Sequence, residues 1–147
     1  MRISTRTRYG ARALSELARE YPRGTLSVRA IARRQRLSVK YLERIMSSLK
    51  TAGLVDAVRG IRGGYRLASP PESVRMSEVF RALDGGWGLA ACLENPKRCS
   101  MRRRCPTRRT WQELTDALTR VLERTTLRDL AAPCRVGRRG RVEAYEI

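Results

Sequence analysis

The sequence predicts a mainly α-helical fold that carries one small β-hairpin and ends in a long helix. Apolar residues recur at helical spacing in five separate segments, and one short alternating segment turns back on itself through a glycine-rich stretch. The chain of 147 residues is long enough for one domain with an appended element, and its aromatic content of 5% predicts a mostly aliphatic core.

The first third of the chain predicts three amphipathic helices, which cover residues 5–20, 28–37 and 39–54. Each helix follows a hydroxyl side chain that can cap its first turn, supplied by Ser4 or Thr5, Ser27 and Ser38. Gly53 fits the position directly after the third helix, where a residue in left-handed conformation often ends a helix. The second and third helices are short and joined by a tight turn, which is typical of a helix-turn-helix.

A β-hairpin is predicted directly after the third helix. Residues 54–58 and 65–68 form its strands around the glycine- and arginine-containing turn 59–64. A hairpin in this position is the wing of a winged helix-turn-helix. A fourth helix is predicted over residues 73–84.

The long C-terminal helix is predicted from Pro106 to about Thr125, and residues 126–130 add a turn. Its apolar stripe consists of Trp111, Leu114, Leu118, Val121 and Leu122. The stripe must be covered either by the N-terminal module or by a second copy of the helix. We favour the second copy, because helix-turn-helix proteins usually pair to match two half-sites.

The charge predicts a polyanionic partner. The chain has 32 Lys and Arg against 14 Asp and Glu, a formal net charge of +18. Nucleic acid is favoured over a membrane surface, since no apolar run of about 18 residues and no N-terminal apolar leader is present. We therefore expect a cytoplasmic protein, in which four cysteines serve as metal ligands or redox thiols rather than disulfides.

Residues 88–109 contain the segment with the most distinctive chemistry. Cys92, Cys99 and Cys105 are separated by six and then five residues. Thiolates bind soft metals, and the six surrounding basic residues favour the thiolate form. Spacing alone does not distinguish iron–sulfur from zinc. The sequence contains no histidine, no phosphate loop and no suitably paired carboxylates, so an enzyme is not expected.

These elements together resemble the Rrf2 family of bacterial winged-helix transcriptional regulators. The resemblance covers about residues 1–130 and rests on MRISTRTRYGARAL, LSVKYLERIMSSLKTAGLV, VRGIRGGYRLA, the cysteine segment, and CPTRRTW followed by TLRDL. It is strongest toward the cluster-sensing and nitric-oxide-sensing subfamilies.

The resemblance implies a homodimer that binds a palindromic DNA operator and no membrane. The third helix would enter the major groove and face DNA with Ser38, Lys40, Tyr41, Glu43 and Arg44. The hairpin turn would contribute Arg59, in the minor groove, and Arg62. The first helix would contact phosphates through Ser4, Thr5, Arg8 and Tyr9.

The resemblance also implies an iron–sulfur cluster, 2Fe–2S or 4Fe–4S, held by Cys92, Cys99 and Cys105. The fourth ligand is open. One subfamily has a histidine at the position of Arg108, and another takes a carboxylate from the partner subunit at the position of Arg8, yet arginine cannot ligate. Four options remain: Cys134, a carboxylate such as Glu16 or Glu94, an exogenous small ligand, or an open position.

The predicted organisation has four parts: a DNA-binding winged helix-turn-helix (1–86), a cluster-binding cysteine loop (87–105), a dimerisation helix (106–130) and a basic flexible tail (131–147). The cluster state would control operator affinity by redox, nitric oxide or cluster-status sensing. The alternatives are a zinc-stabilised or metal-free winged-helix protein, and a constitutive nucleic-acid-binding module that ignores sequence.

Overall fold

The computed structural model describes residues 3–60, 63–95, 97 and 99–132. Within these ranges helices dominate and one two-stranded antiparallel hairpin is present, as the sequence predicts. The elements are α1 (Thr5–Glu20), α2 (Val28–Gln35), α3 (Val39–Thr51), β1 (Val55–Val58), β2 (Gly64–Leu67), α4 (Met76–Asp84), α5 (Ala91–Glu94), α6 (Arg108–Arg124) and α7 (Leu127–Ala131).

Serine hydroxyls cap the first three helices. The Ser4 Oγ accepts the Thr7 N–H at 3.0 Å, and the Ser27 and Ser38 hydroxyls accept from the third residue beyond them. Each such bond satisfies a backbone donor that the helix leaves free, and a cap of this kind stabilises a helix by about 1 kcal/mol. Gly53 follows α3 with a φ of 73°, which confirms its predicted place after the helix.

The hairpin is tied back to the helix-turn-helix. Val55 pairs with Leu67 and Val58 with Gly64 across β1 and β2. In addition, Leu26 exchanges two backbone hydrogen bonds with Tyr65, at 2.9 and 2.8 Å. The sequence did not predict this third segment of the sheet. It holds the start of α2 against the wing.

Gly64 allows that close approach, and replacing it should destabilise the fold. A Cβ at Gly64 would lie 2.5 Å from the carbonyl oxygen of Leu26, a backbone atom that cannot rotate away. We expect Gly64→Ala to lower the free energy of unfolding by about 1–3 kcal/mol, as overpacking typically does. Urea denaturation followed by circular dichroism measures this change, and a stability equal to wild type would contradict the close packing.

The core lies between α1, α3, α4 and the start of the hairpin. Its fully buried large side chains are mostly aliphatic, as expected from the composition: Leu14, Leu17, Ile31, Leu42, Ile45, Met46, Leu49, Val55, Val79 and Leu127. Burying one such side chain stabilises the fold by roughly 1.5–3 kcal/mol. This core fixes α3 relative to α1.

The C-terminal helix is divided, which corrects the predicted 106–130 element. The helix α6 begins at Arg108 and ends at Arg124, because Thr125 is extended and Thr126 caps the separate helix α7. The extended backbone around Thr126 pairs with Arg75, and for this reason α4 begins at Met76 rather than at residue 73. These bridges join the C-terminal helices to the N-terminal module.

None of the helices in the described ranges combines the length and apolar character that a membrane span requires.

Candidate nucleic-acid interface and cysteine segment

The first turns of α1 and α3 lie side by side through two tyrosines. The Tyr9 and Tyr41 rings meet edge to face, with centroids 6.0 Å apart and planes at 84°. Both rings are half-buried and pack against the core. The contact therefore fixes the N-terminal ends of the two helices relative to each other. It also brings the predicted phosphate contacts of α1 close to the predicted base contacts of α3.

Cations surround this contact without neutralising partners. Arg8 and Arg12 lie 5.9 and 5.5 Å from the centroid of the Tyr9 ring, and Lys40 and Arg44 line one groove with Tyr41. Like Arg6 and Lys50 farther from the contact, these side chains are exposed and form no ion pair within the described ranges. The carboxylates that do form ion pairs lie elsewhere, on residues such as Glu16, Glu20 and Glu123. The result is a positive surface, here called the basic face, of the kind that binds phosphates.

A shallow groove runs along the start of α3 on this face. Its lining consists of Ser38, Lys40, Tyr41 and Arg44, all predicted from the sequence to face DNA. A second depression at the start of α1 is lined by Ser4, Thr5 and Arg8 together with Ile3. Glu43 is exposed on α3 between Tyr41 and Arg44, and it forms no ion pair within the described part of the chain.

Two of the residues predicted to contact DNA also stabilise the fold. The Ser4 hydroxyl caps α1 and donates to Asp84 Oδ1 at 2.7 Å, which leaves it little capacity for a phosphate. The Ser38 hydroxyl caps α3. Because capping does not require DNA, alanine variants at these positions would change helix stability as well as any DNA contact.

The hairpin turn places Arg59 at the surface directly after β1. Gly60 has a φ of 119°, a backbone conformation that glycine adopts readily. Its carbonyl accepts the Gly63 N–H at 2.9 Å, and this hydrogen bond closes the turn. Arg62, the other predicted contact of this turn, lies outside the described residues, as does Cys134.

The cysteine segment follows α4 and is anchored at its start by Trp87. The Trp87 Nε1 donates to Thr119 Oγ1 of α6 at 2.8 Å, and its ring meets Phe80 of α4 edge to face. The guanidinium carbon of Arg81 lies 5.1 Å from the centroid of the Trp87 ring. Sequence reasoning did not assign Trp87 a role, although an amphipathic tryptophan beside a glycine-rich stretch was a usable signal.

The three segment cysteines are all half-buried free thiols. Within the described residues no group of three His, Cys, Asp or Glu side chains is gathered to hold a metal ion. By chemistry three thiols fit an iron–sulfur cluster or zinc, but their arrangement in this structure is not a formed site.

The thiol of Cys105 lies beside a hydroxyl and an arginine. Its Sγ lies 3.5 Å from Thr107 Oγ1. That hydroxyl and the Thr107 backbone N–H, followed by Arg108, lower the pKa of Cys105 below its ordinary value. A lower pKa increases the thiolate fraction, which is the form that binds metals and reacts with oxidants.

Glu16, a candidate for the fourth ligand, and Arg108, which cannot ligate, both have partners within the chain. Glu16 is buried between α1 and α2, where it accepts hydrogen bonds from Arg19, Arg34 and Gln35. Arg108, at the position of a family histidine, donates to the Cys92 carbonyl at 3.3 Å. This hydrogen bond connects the two ends of the cysteine segment.

The helix α6 exposes apolar side chains along its length. Trp111, Leu114 and Val121 are 41%, 47% and 43% exposed, whereas Leu122 is buried against the N-terminal module. The predicted stripe is thus split: one edge is covered within the chain and the other is left uncovered. An exposed apolar face of this kind marks an interaction surface.

Comparisons with known proteins agree with this fold. The family model of Rrf2, described as an iron-dependent transcriptional regulator, matches residues 3–133. The transcriptional regulator CymR of Bacillus subtilis is 38% identical over 132 residues, which cover 90% of this chain and 91% of that protein. The transcriptional regulator IscR of Cereibacter sphaeroides is 35% identical over 139 residues, which cover 88% and 86%.

Solved structures give the same result. That of CymR from B. subtilis, described as the global cysteine regulator of that organism, aligns with a TM-score of 0.76 at 37% identity, covering 89% of this chain and 96% of that chain. The named relatives are transcriptional regulators and not enzymes. The chain therefore belongs to the Rrf2 family of DNA-binding transcriptional regulators.

Proposed function

We propose that this regulator binds a palindromic operator as a homodimer and that its cysteine segment controls the binding. The observation that carries the DNA contact is the basic face, where unpaired cations flank the Tyr9–Tyr41 contact at the start of α3. An exposed first turn of α3 suits insertion into the major groove. Lys40, Glu43 and Arg44 would read or position bases there, and Arg59 would enter the minor groove.

The homodimer is supported by the uncovered edge of α6. Burial of Trp111, Leu114 and Val121 against the same residues of a second copy would remove a continuous apolar surface from water. A two-fold pair of α6 helices would also present two basic faces to two half-sites. Each half-site would then be read by one α3.

The cysteine segment is proposed to hold an iron–sulfur cluster through Cys92, Cys99 and Cys105. Three half-buried thiols, the lowered pKa of Cys105 and relatives named IscR support this choice. A bound cluster would supply a centre that changes oxidation state or is lost on exposure to oxygen or nitric oxide. The chain's own residues would hold it and transmit its presence.

Transmission would run through the contacts at both ends of the segment. Trp87 joins the segment to α4 and α6, and Arg108 joins α6 to the Cys92 carbonyl. Asp84, at the end of α4, accepts from Ser4 at the start of α1. Gathering the three sulfurs would shift these contacts, and with them the spacing of the two basic faces.

A second candidate is control by the thiols without a cluster. It is favoured by the three free thiols of the segment and by the lowered pKa of Cys105. In this case oxidation of the thiols, or zinc, would replace the cluster as the signal. A relative described as a cysteine regulator is consistent with sulfur-related control.

The test is the visible spectrum of protein purified without oxygen, with its iron and sulfide content. We expect wild type to show charge-transfer absorption and Cys99→Ala to lose it, because one of three ligands is removed. Ser100→Ala is the matched control, and Cys134→Ala examines the tail thiol as fourth ligand. Colourless wild-type protein with stoichiometric zinc, or equal operator affinity with and without cluster, would rule out cluster control.

A further inference from the structure

We infer that Arg12 is a positioning residue for DNA recognition: it holds the turn before α3 and, through Tyr9, the first turn of α3 itself. This inference rests on the proposed basic face. It concerns how accurately α3 is presented, and it assigns Arg12 no direct contact with bases or phosphates. The sequence did not single out Arg12.

The first half of the argument is the contact between Arg12 and the last residue of α2. The Arg12 Nε donates to Gln35 Oε1 at 2.8 Å, and its Nη2 donates to the Gln35 backbone carbonyl. One guanidinium thus holds both the side chain and the main chain of Gln35. The Gln35 amide in turn donates to the buried Glu16 at 2.6 Å, so the grip is anchored in the α1–α2 interface.

Gln35 is the residue from which the helix-turn-helix turn departs. Only two residues separate it from Ser38, the cap of α3, and the first of these, Arg36, has a φ of 53°. A non-glycine residue in left-handed conformation costs free energy and persists only when its surroundings hold it. The Arg36 and Leu37 N–H groups close this turn on the Arg33 and Ala32 carbonyls, and the Arg12–Gln35 bonds add a hold from α1. We therefore expect the angle at which α3 leaves the turn to depend on Arg12 as well.

The second half of the argument is the ring contact. The Arg12 guanidinium carbon lies 5.5 Å from the centroid of the Tyr9 ring, within the range of a cation–π interaction. Tyr9 in turn meets Tyr41 in the first turn of α3. Arg12 therefore contacts the turn on one side and supports the ring that packs on α3 on the other.

Arginine is suited to both contacts, and lysine is not. The planar guanidinium donates two hydrogen bonds in a fixed fork and packs flat over an aromatic face. A lysine ammonium keeps the charge but is a point donor on a flexible stem. Arg12→Lys therefore removes the positioning and preserves the electrostatic attraction to phosphates.

The rival interpretation is that Arg12, an exposed cation beside Arg8, contacts a phosphate. Loss of a phosphate contact weakens binding to every sequence alike, and it reduces the salt dependence of binding by about one unit of slope. Loss of positioning instead weakens binding to the operator more than to unrelated DNA and leaves the slope unchanged. Salt titration separates these two roles.

The experiment uses the full-length protein and a duplex selected by wild type from a random library, with a scrambled duplex for comparison. We expect Arg12→Lys and Arg12→Gln each to reduce discrimination between the two duplexes about tenfold, comparable to the loss of one well-placed base contact. The salt slope of Arg12→Gln should equal that of wild type, because only a lost phosphate contact would reduce it. Arg23→Gln, which removes a charge from the turn after α1, should leave discrimination unchanged.

A measurement on the free protein completes the test. Hydrogen exchange in Arg12→Lys should be faster at residues 36–42 than in wild type, with equal melting temperatures showing that the fold is intact. Full discrimination in Arg12→Lys, or in Arg12→Gln a uniform loss of affinity with a smaller salt slope, would overturn the inference. Lys40→Ala is measured alongside: if it too leaves operator binding unchanged, the proposed face itself is wrong, and not only the role of Arg12.

Discussion

Replacing Lys40 and Arg44 together by alanine is expected to weaken operator binding by at least about a thousandfold. Both side chains line the groove at the start of α3, and neither forms an ion pair within the described residues that would hold it away from DNA. A well-placed base or phosphate contact contributes roughly 1–3 kcal/mol, and a dimer would lose both side chains twice. Fluorescence anisotropy with a selected duplex at several salt concentrations measures the loss.

A control variant with the same change in charge makes this result specific. Arg23→Ala and Arg124→Ala together remove two cations from the turn after α1 and from the end of α6. This control should lose only the small affinity that follows from net charge. If the control and the α3 variant lose equal affinity, long-range charge explains the binding, and the proposed face does not.

Leu114→Glu is expected to convert the dimer to a monomer and to weaken binding to the full palindrome by at least about a hundredfold. Leu114 is 47% exposed on α6 between Trp111 and Leu118, at the centre of the uncovered apolar edge. In a two-fold interface the substituted carboxylates would meet each other in an apolar environment, which is costly. A monomer would also lose the gain in affinity that comes from linking two half-site contacts.

Sedimentation equilibrium gives the oligomeric state, and anisotropy with full and half sites gives the binding. Gln112→Glu is the control, because it adds one negative charge at an exposed polar position of the same helix. The control should remain dimeric. If Leu114→Glu is dimeric as well, α6 does not form the dimer contact, and the uncovered edge has another partner.

Some elements were predictable because their signals are local. The serine caps of α1, α2 and α3 and the glycine after α3 were correct, since a capping hydroxyl acts within three residues of its own position. The hairpin was predicted from its glycine turn. The end of α6 at Arg124 agrees with the predicted end at about Thr125, but α7 was predicted as an added turn and not as a separate helix, because its separation involves backbone pairing between Arg75 and Thr126, 51 positions apart.

The candidate sites show the same division. Predicted residues of α1 and α3 do line one face, but the roles of Arg12, Gln35 and Asp84 were missed, because each acts through a partner distant in sequence. The predicted set of three cysteines is present as half-buried thiols, whereas the described structure does not gather them. Their role in binding a cluster, and those of Arg59 and the other DNA contacts, stay predictions.

The sequence by itself determined the order of helices and hairpin, the caps, the excess of positive charge and the supply of thiols, since spacing and composition act over a few residues. Only the tertiary structure decided that Tyr9 meets Tyr41, that Arg12 grips Gln35 and that one edge of α6 is left uncovered. These contacts join residues far apart in the chain. They follow from how the helices pack around a shared core, and the spacing of apolar residues within one helix does not specify that packing.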